Sequence, residues 1–347
     1  VYIEILGYGL LKNWKLWLGL LVSAFFMWLA LRGLELNVVW GYLQSARYAW
    51  ILPGIVVYFL AVWARTWRWD YMLRPLKHVP LIRLFPVVVI GYMGNNVYPA
   101  RAGEVLRSFV LREREAIPMS ASLATVVVER VFDGLVMLIF VFVALPFTPL
   151  PGGSDFIRAL VNYASLAFFL ALALFFGLAA FPDWFYRLAE TISYKIFPHR
   201  IHHPLLTFLK RFLAGLESLR SFRSVLMIFF TSIIIWLLET VKYWFVMQAF
   251  DFQVSFFALM LMNGVVNLMT TFPAAPGYVG TFDAPGIAVL ELYGVPKEIA
   301  TAYTLVLHAA LWLPITLLGA YYMIRAGMRW STFGKAVEVK EQELPVN

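Results

Sequence analysis

The chain has no cysteine, few charges and few histidines, and each shortage closes a class of function. Without cysteine there is no disulfide, no thiolate nucleophile and no cysteine-bound metal. Only 14% of residues are charged against 62% hydrophobic, and the mean hydropathy is +0.76. Soluble domains carry about a quarter charged residues, so a water-soluble fold is excluded. Five histidines remain. His199, His202 and His203 resemble a metal tract, but in a basic segment without carboxylates they read as solvated. No nucleophile–base set, Gly-rich phosphate loop or metal-ligand cluster stands out, so the sequence predicts no enzyme and no cofactor. Val1 rather than Met leads the chain, which raises the expectation of residues upstream; no cleavable signal peptide is evident.

What is present is apolar and arranged in runs. Spans read at 15–33, 49–67, 82–98, 121–145, 157–180, 224–249, 256–272 and 299–324. A bilayer crossing needs about 20 apolar residues. Trp and Tyr crowd the ends of the runs (Trp14, Trp17, Trp63, Trp67), as in an interfacial belt. The formal charge of +8 is explained more simply by cytoplasmic loops than by nucleic acid. Residues 104–116 are amphipathic and charged. In 181–223, Trp184, Phe185, Leu188 and Ile192 fall at helical spacing, which predicts cytoplasmic helices lying in the interface. The tail 331–347 is polar.

Two stretches interrupt the runs. Asn95-Asn96-Val97-Tyr98-Pro99-Ala100-Arg101-Ala102-Gly103-Glu104-Val105 ends one apolar run with polar, irregular sequence, and Pro273-Ala-Ala-Pro276-Gly277-Tyr-Val279 repeats its Pro-Ala-x-x-Gly-x-Val skeleton. Irregular backbone at membrane depth survives only where it lines a wet cavity or is buried in protein. If all eight spans crossed, basic residues would scatter over both sides. If 82–98 and 256–272 turn back instead, the segments 65–83, 105–118 and 181–223 and both termini share one basic side. The expected fold is therefore an all-α polytopic membrane protein. It has six transmembrane helices plus two re-entrant broken-helix hairpins that form an inverted repeat, with both termini cytoplasmic. One membrane domain spans 1–330, with repeat units at 82–145 and 256–324.

Polar residues gather in these spans. Ser122, Thr125, Glu129 and Asp133 share a helical face with Arg130 beside it; Glu239 and Lys242 lie one turn apart; Asn263, Asn267 and Thr270 lead into the second break, and Asp283 follows it. A charge at the bilayer centre costs about 2.5–3.5 kcal/mol on insertion scales, so these groups need partners or water. Two readings are open for Arg130–Asp133 and Glu239–Lys242: buried pairs that fix helix register, or a hydrophilic slot for a charged head group. Arg101 beside a helix N-terminus makes an anion site, or else snorkels to the interface. His308 is a core histidine or a proton carrier. Asn95 and Asn96 either cap the broken helix or hold head-group hydroxyls.

The motifs Asn95-x-x-x-Pro99-Ala-Arg101-x-Gly103-Glu104, Val128-Glu129-Arg130-x-x-Asp133 and Pro273-x-x-Pro276-Gly277-x-x-Gly280-x-x-Asp283 resemble the flippase-like transmembrane region of lysylphosphatidylglycerol synthases, over residues 12–327. The resemblance implies movement of an aminoacyl-phospholipid or polyprenyl-phosphate lipid between the leaflets of the cytoplasmic membrane. It also implies Arg101, Glu104, Glu129, Arg130 and Asp283 as head-group residues. With no aminoacyl-transferase domain after Arg329, the chain is not expected to make lysyl lipid itself. The slot then has Arg101 and Arg130 on the phosphate, and Glu129, Asp133 and Asp283 facing a cationic or hydroxyl-rich head. Glu239, Lys242 and His308 are candidates for a proton or coupling relay. The alternative is a non-catalytic membrane partner of a separate synthase or glycosyltransferase; oligomeric state is left open.

Overall fold

A computed structural model of the chain describes residues 14–98, 101–147, 181–196, 221–270 and 275–328, with isolated helical positions between 166 and 213. The expected span 157–180 and the tail 331–347 lie outside or almost outside these, as do the three clustered histidines and the prolines Pro99 and Pro273. Among the described residues every regular element is helical. Helices α1 (Trp14–Leu31), α2 (Leu36–Ser45), α3 (Ile51–Leu73), α4 (Leu81–Val97), α5 (Gly103–Glu115) and α6 (Met119–Phe147) are followed by α7 (Pro182–Ile196). Then come α8 (Phe222–Met247), α9 (Phe256–Met269), α10 (Asp283–Leu292) and α11 (Lys297–Arg325). Among the described residues three stretches are long and apolar enough to cross a membrane, Tyr48–Leu73, Phe222–Met247 and Lys297–Arg325; α1 with α2, bent by 86°, makes a fourth if the pair is one span. This is an integral membrane architecture. Helix α6 is equally long at 29 residues and carries Glu129, Arg130 and Asp133.

Local chemistry sets the helix ends. Ser221 and Ser255 accept hydrogen bonds from the backbone N–H groups of Ser224 and Ala258, capping α8 and α9. Ala116, left-handed at φ 57°, closes α5 by donating its N–H to Arg112 O. Two expected boundaries move. The segment between the expected spans 15–33 and 49–67 contains α2, which packs on α11. Helix α3 continues to Leu73, so Arg65 and Arg68 are buried helical residues and not part of a basic loop.

Contacts between helix ends sort the molecule into two poles. At one, Arg83 of α4, Arg114 of α5 and Arg325 of α11 line a common cleft, and Lys77 bonds Glu115 at 2.8 Å. At the other, Arg47 bonds Asp251 at 2.9 Å and Lys297 donates to Arg32 O at 2.7 Å. Helices α4 and α5 form an antiparallel hairpin that starts and ends at the first pole, because Gly94 meets Gly103 and Leu106 while Gly91 meets Arg107. A Cβ on Gly103 would lie 1.9 Å from Gly91 O, so only glycine lets the two backbones approach this closely. Helices α9 and α10 fold on each other from the second pole, with Gly286 against Met262. The hairpin tips meet inside the molecule. The 3₁₀ turn Pro276–Tyr278 packs on α4, and the indole N–H of Trp312 donates to Asn96 O at 3.4 Å.

The matched glycines of the two breaks play different parts. Gly103 opens a helix under Gly91 and Asn95, whereas Gly277 is left-handed at φ 73° under Trp312. Helix α7 leaves Trp184, Leu188 and Ile192 exposed on its apolar face.

Candidate functional site

Where the hairpin tips meet, a cavity of about 140 Å³ opens between α3, α4, α6, α8 and α11. Its charged lining is Arg65, Arg101, Arg130 and Lys242 against one carboxylate, Glu239, with His308 close by. Asn95, Asn96, Asn267 and Thr270 supply neutral polar groups, and Tyr and Trp rings complete the wall.

Each charge is placed by a helix. On α8, Glu239 and Lys242 are three residues apart and bond each other; Glu239 also takes the guanidinium of Arg65 from α3. The rings around them already carry cations. Lys242 lies 4.8 Å from the Tyr58 centroid and 5.3 Å from that of Tyr243. Arg65 lies 5.6 Å from Tyr92 and 5.5 Å from Trp236.

The polar face of α6 is occupied along its whole length. Ser122 donates to Ser108 at 3.1 Å, and Thr125 accepts the Trp69 indole N–H at 2.9 Å. Glu129 binds Arg107 and stands 3.6 Å from Arg68. Asp133 accepts from Arg68 at 2.6 Å and from the Trp236 N–H at 3.0 Å. These groups are nearly sealed, with the Arg68 side chain only 1% exposed. A buried charge is tolerated only when paired and hydrogen-bonded, so Glu129 and Asp133 belong to the frame behind the cavity.

Arg101 and Arg130 differ from these. Arg130 is 39% exposed and stands 3.5 Å from Glu104 and 3.9 Å from Asp133, ion-pair distances without a hydrogen bond. Arg101, left-handed at φ 54°, spans the two breaks by donating to Thr270 O at 3.1 Å, and it lies 5.8 Å from the ring of Tyr278, itself left-handed at φ 60°. Such backbone conformations cost about 1–3 kcal/mol each and persist where the surroundings hold them. The Nε atoms of Arg101 and Arg130, Asn95 Oδ1 and Glu104 Oε1 are buried with no hydrogen-bond partner.

Of the residues singled out from sequence, Asn95, Asn96, Arg101, Arg130, Glu239, Lys242 and His308 line the cavity. Glu104 pairs with Arg101 and Arg130 behind it. Asp283 accepts from Gly280 N at 2.9 Å and pairs with His308 at 2.8 Å, and the other nitrogen of His308 bonds Gly277 O at 2.7 Å. That pair braces the second break. Arg65, Arg68 and Arg107 were not anticipated. For Arg68 and Arg107 the signal available was an arithmetic one, since α6 carries Glu129 and Asp133 against Arg130 alone; Glu239 already has Lys242 on its own helix, so nothing pointed to Arg65.

Counted as a cluster, Arg65, Arg68, Arg101, Arg107, Arg130 and Lys242 face Glu104, Glu129, Asp133 and Glu239. Asp283 pairs with His308 beside them, so positive charge exceeds carboxylate by two with His308 protonated and by one with it neutral. Arginine presents a planar fork of donors that matches phosphate. Among the described residues no group of His, Asp or Glu could hold a metal ion.

Comparison with known proteins gives matches over most of the chain. The family described as the lysylphosphatidylglycerol synthase TM region matches residues 16–319. A UPF0104 membrane protein of Methanothermobacter thermautotrophicus is 24% identical over 288 residues, 78% of this chain and 82% of the relative. A UPF0104 membrane protein of Methanocaldococcus jannaschii is 21% identical over 314 residues, 88% of this chain and 93% of the relative. Glycosyltransferase AglD of Haloferax volcanii is 31% identical over 138 residues, 40% of this chain and 22% of AglD. No solved structure matches the chain.

Proposed function

The chain belongs to the family of lysylphosphatidylglycerol synthase transmembrane regions, and from that premise we propose that it is a translocase moving a phosphate-containing lipid between membrane leaflets. The observation that carries this reading is the excess of positive charge over carboxylate, with the half-buried Arg101 and Arg130 at the point where two hairpins from opposite poles touch. In hydrocarbon such a surplus is costly, and a lipid phosphate neutralises it. Arg101 and Arg130, whose donors are not used up within the protein, bind the phosphate; the acyl or prenyl chains stay in lipid. The meeting of broken helices that enter from opposite poles is the arrangement in which transporters place a substrate.

The two poles support a topology of six crossings and two re-entrant hairpins related as an inverted repeat. The chain then resides in the cytoplasmic membrane with both termini cytoplasmic. Arg65, Arg68 and Arg107 drop out of the loop-charge argument because they are buried. Arg74, Lys77, Arg83, Arg112, Arg114 and Arg325 still lie at the first pole.

The test is a leaflet assay with the full chain in proteoliposomes. Labelled lipid phosphates should become accessible in the opposite leaflet faster than in empty vesicles. No acceleration for any phospholipid or polyprenyl phosphate rejects translocation. The partial match to a glycosyltransferase favours a second reading, a non-catalytic membrane partner of a lipid-modifying enzyme. Stoichiometric co-purification of such an enzyme, with its activity lost in the absence of this chain, would establish that role.

A further inference from the structure

We infer that the head group this cavity accepts is a phosphate ester of an uncharged, hydroxyl-bearing group, a polyol or one sugar ring, and that a cationic aminoacyl head is rejected. The inference rests on the cavity being the head-group site.

An ammonium needs either a carboxylate or an open aromatic face. The one lining carboxylate, Glu239, is held by both Arg65 and Lys242. The carboxylates behind the wall are also engaged: Glu129 by Arg107, Asp133 by Arg68 and Trp236, and Asp283 by His308. Glu104 lies between Arg101 and Arg130, so a cation approaching it must pass two guanidinium groups. Of the lining Tyr and Trp rings, all but Trp312 are faced by a cation of the protein, and the Trp312 indole N–H donates to Asn96 O. Tyr58 and Tyr243 carry Lys242, Tyr92 and Trp236 carry Arg65, and Tyr278 carries Arg101. The ring of Phe282 lies 4.5 Å from that of His308. A second cation brought here meets Arg65, Arg101, Arg130 and Lys242 around the same cavity.

Hydroxyls meet the opposite situation. Asn95 and Thr270 line the cavity with groups that both donate and accept, and Arg101 and Arg130 line it with donors. A hydroxyl can serve both kinds of group at once. Asn96 and Asn267 add amides without charge. A volume of about 140 Å³ is of the size that takes a single six-membered ring.

The experiment offers the purified full chain an equimolar mixture of phosphatidylglycerol, a polyprenyl monosaccharide phosphate and lysylphosphatidylglycerol, and reads retained lipid by native mass spectrometry. At least tenfold preference for one or both hydroxyl-headed lipids is expected, and the pair reports whether the source is a glycerol or a sugar head. Lys242→Met frees one side of Glu239 and should narrow the ratio toward the lysyl lipid. Arg130→Gln should lower retention of all three. Equal or greater retention of the lysyl form by the unmodified chain overturns the inference, as does unchanged retention in Arg130→Gln. Vesicles that move no lipid while the tenfold preference persists would reject translocation and leave this inference standing.

Discussion

Replacing Gly103 by alanine tests whether the first hairpin positions the site. The new Cβ would sit 1.9 Å from Gly91 O, 2.4 Å from Asn95 N and 2.7 Å from Asn95 Oδ1. Two of these three atoms are backbone of the facing helix and cannot rotate away. Reaching an ordinary contact of about 3.5 Å requires α5 to withdraw from α4 by roughly 1.5 Å along its whole packed face. Overpacking of this kind costs about 1–3 kcal/mol, and the upper end applies because the obstacle is main chain. The displacement is transmitted to Arg101, two residues before the substituted position, and so to its bond with Thr270 O. Gly103→Ala should therefore lower the melting temperature in detergent by several degrees and abolish lipid movement in proteoliposomes. Gly41→Ala is the matched control. It lies in α2 with nothing within 4 Å of its Cβ position, and should be neutral or stabilising by about 0.5–1 kcal/mol. If Gly103→Ala melts with the parent protein and moves lipid at the same rate, the close approach of the two helices has been misread.

Other substitutions separate the frame from the cavity. Arg68→Met leaves Asp133 with only the Trp236 N–H and Arg130 at 3.9 Å, and Glu129 with Arg107 alone, which should cost about 3–5 kcal/mol and show as loss of folded protein in size-exclusion chromatography. Arg101→Ala and Arg130→Ala should instead leave the chromatographic profile intact while removing lipid movement; unfolding of both would return them to the frame. Arg65→Met with Glu239→Gln, measured singly and together by thermal unfolding, should show strong coupling, the double variant being less destabilised than the sum of the singles. Arg47→Ala, which breaks a pair whose side chains are 61% and 86% exposed, should change stability by less than about 1 kcal/mol.

Much of the frame could be read from the chain alone, for reasons tied to particular residues. The apolar runs gave the positions of α1, α4, α6, α8, α9 and α11 to within a few residues, and the start but not the end of α3, because a span needs length and little else. The first break was visible because Asn95, Asn96 and Gly103 have no reason to end a simple crossing. The shared polar face of α6 was visible at helical spacing, but its partners were not. Arg68 meets Asp133 across 65 residues and Arg65 meets Glu239 across 174, and no local pattern encodes such pairings. Basic residues at the end of a span look the same whether they face headgroups or turn inward. Helix α2 escaped notice because ten residues between Gly33 and Arg47 resemble a loop in length.

Helix α1 reaches the second break at its tightest point. Ser23 accepts the N–H of Ala275 at 2.8 Å through its hydroxyl, and its carbonyl oxygen would lie 2.4 Å from any side chain placed on Gly280. The opening span is thus a buttress for the later hairpin more than 250 positions along the chain. Shortened forms that dispense with it should lose the wall behind Pro276–Tyr278, and fusions joined at that end act on the heart of the molecule through Ser23, Phe26 and Met27.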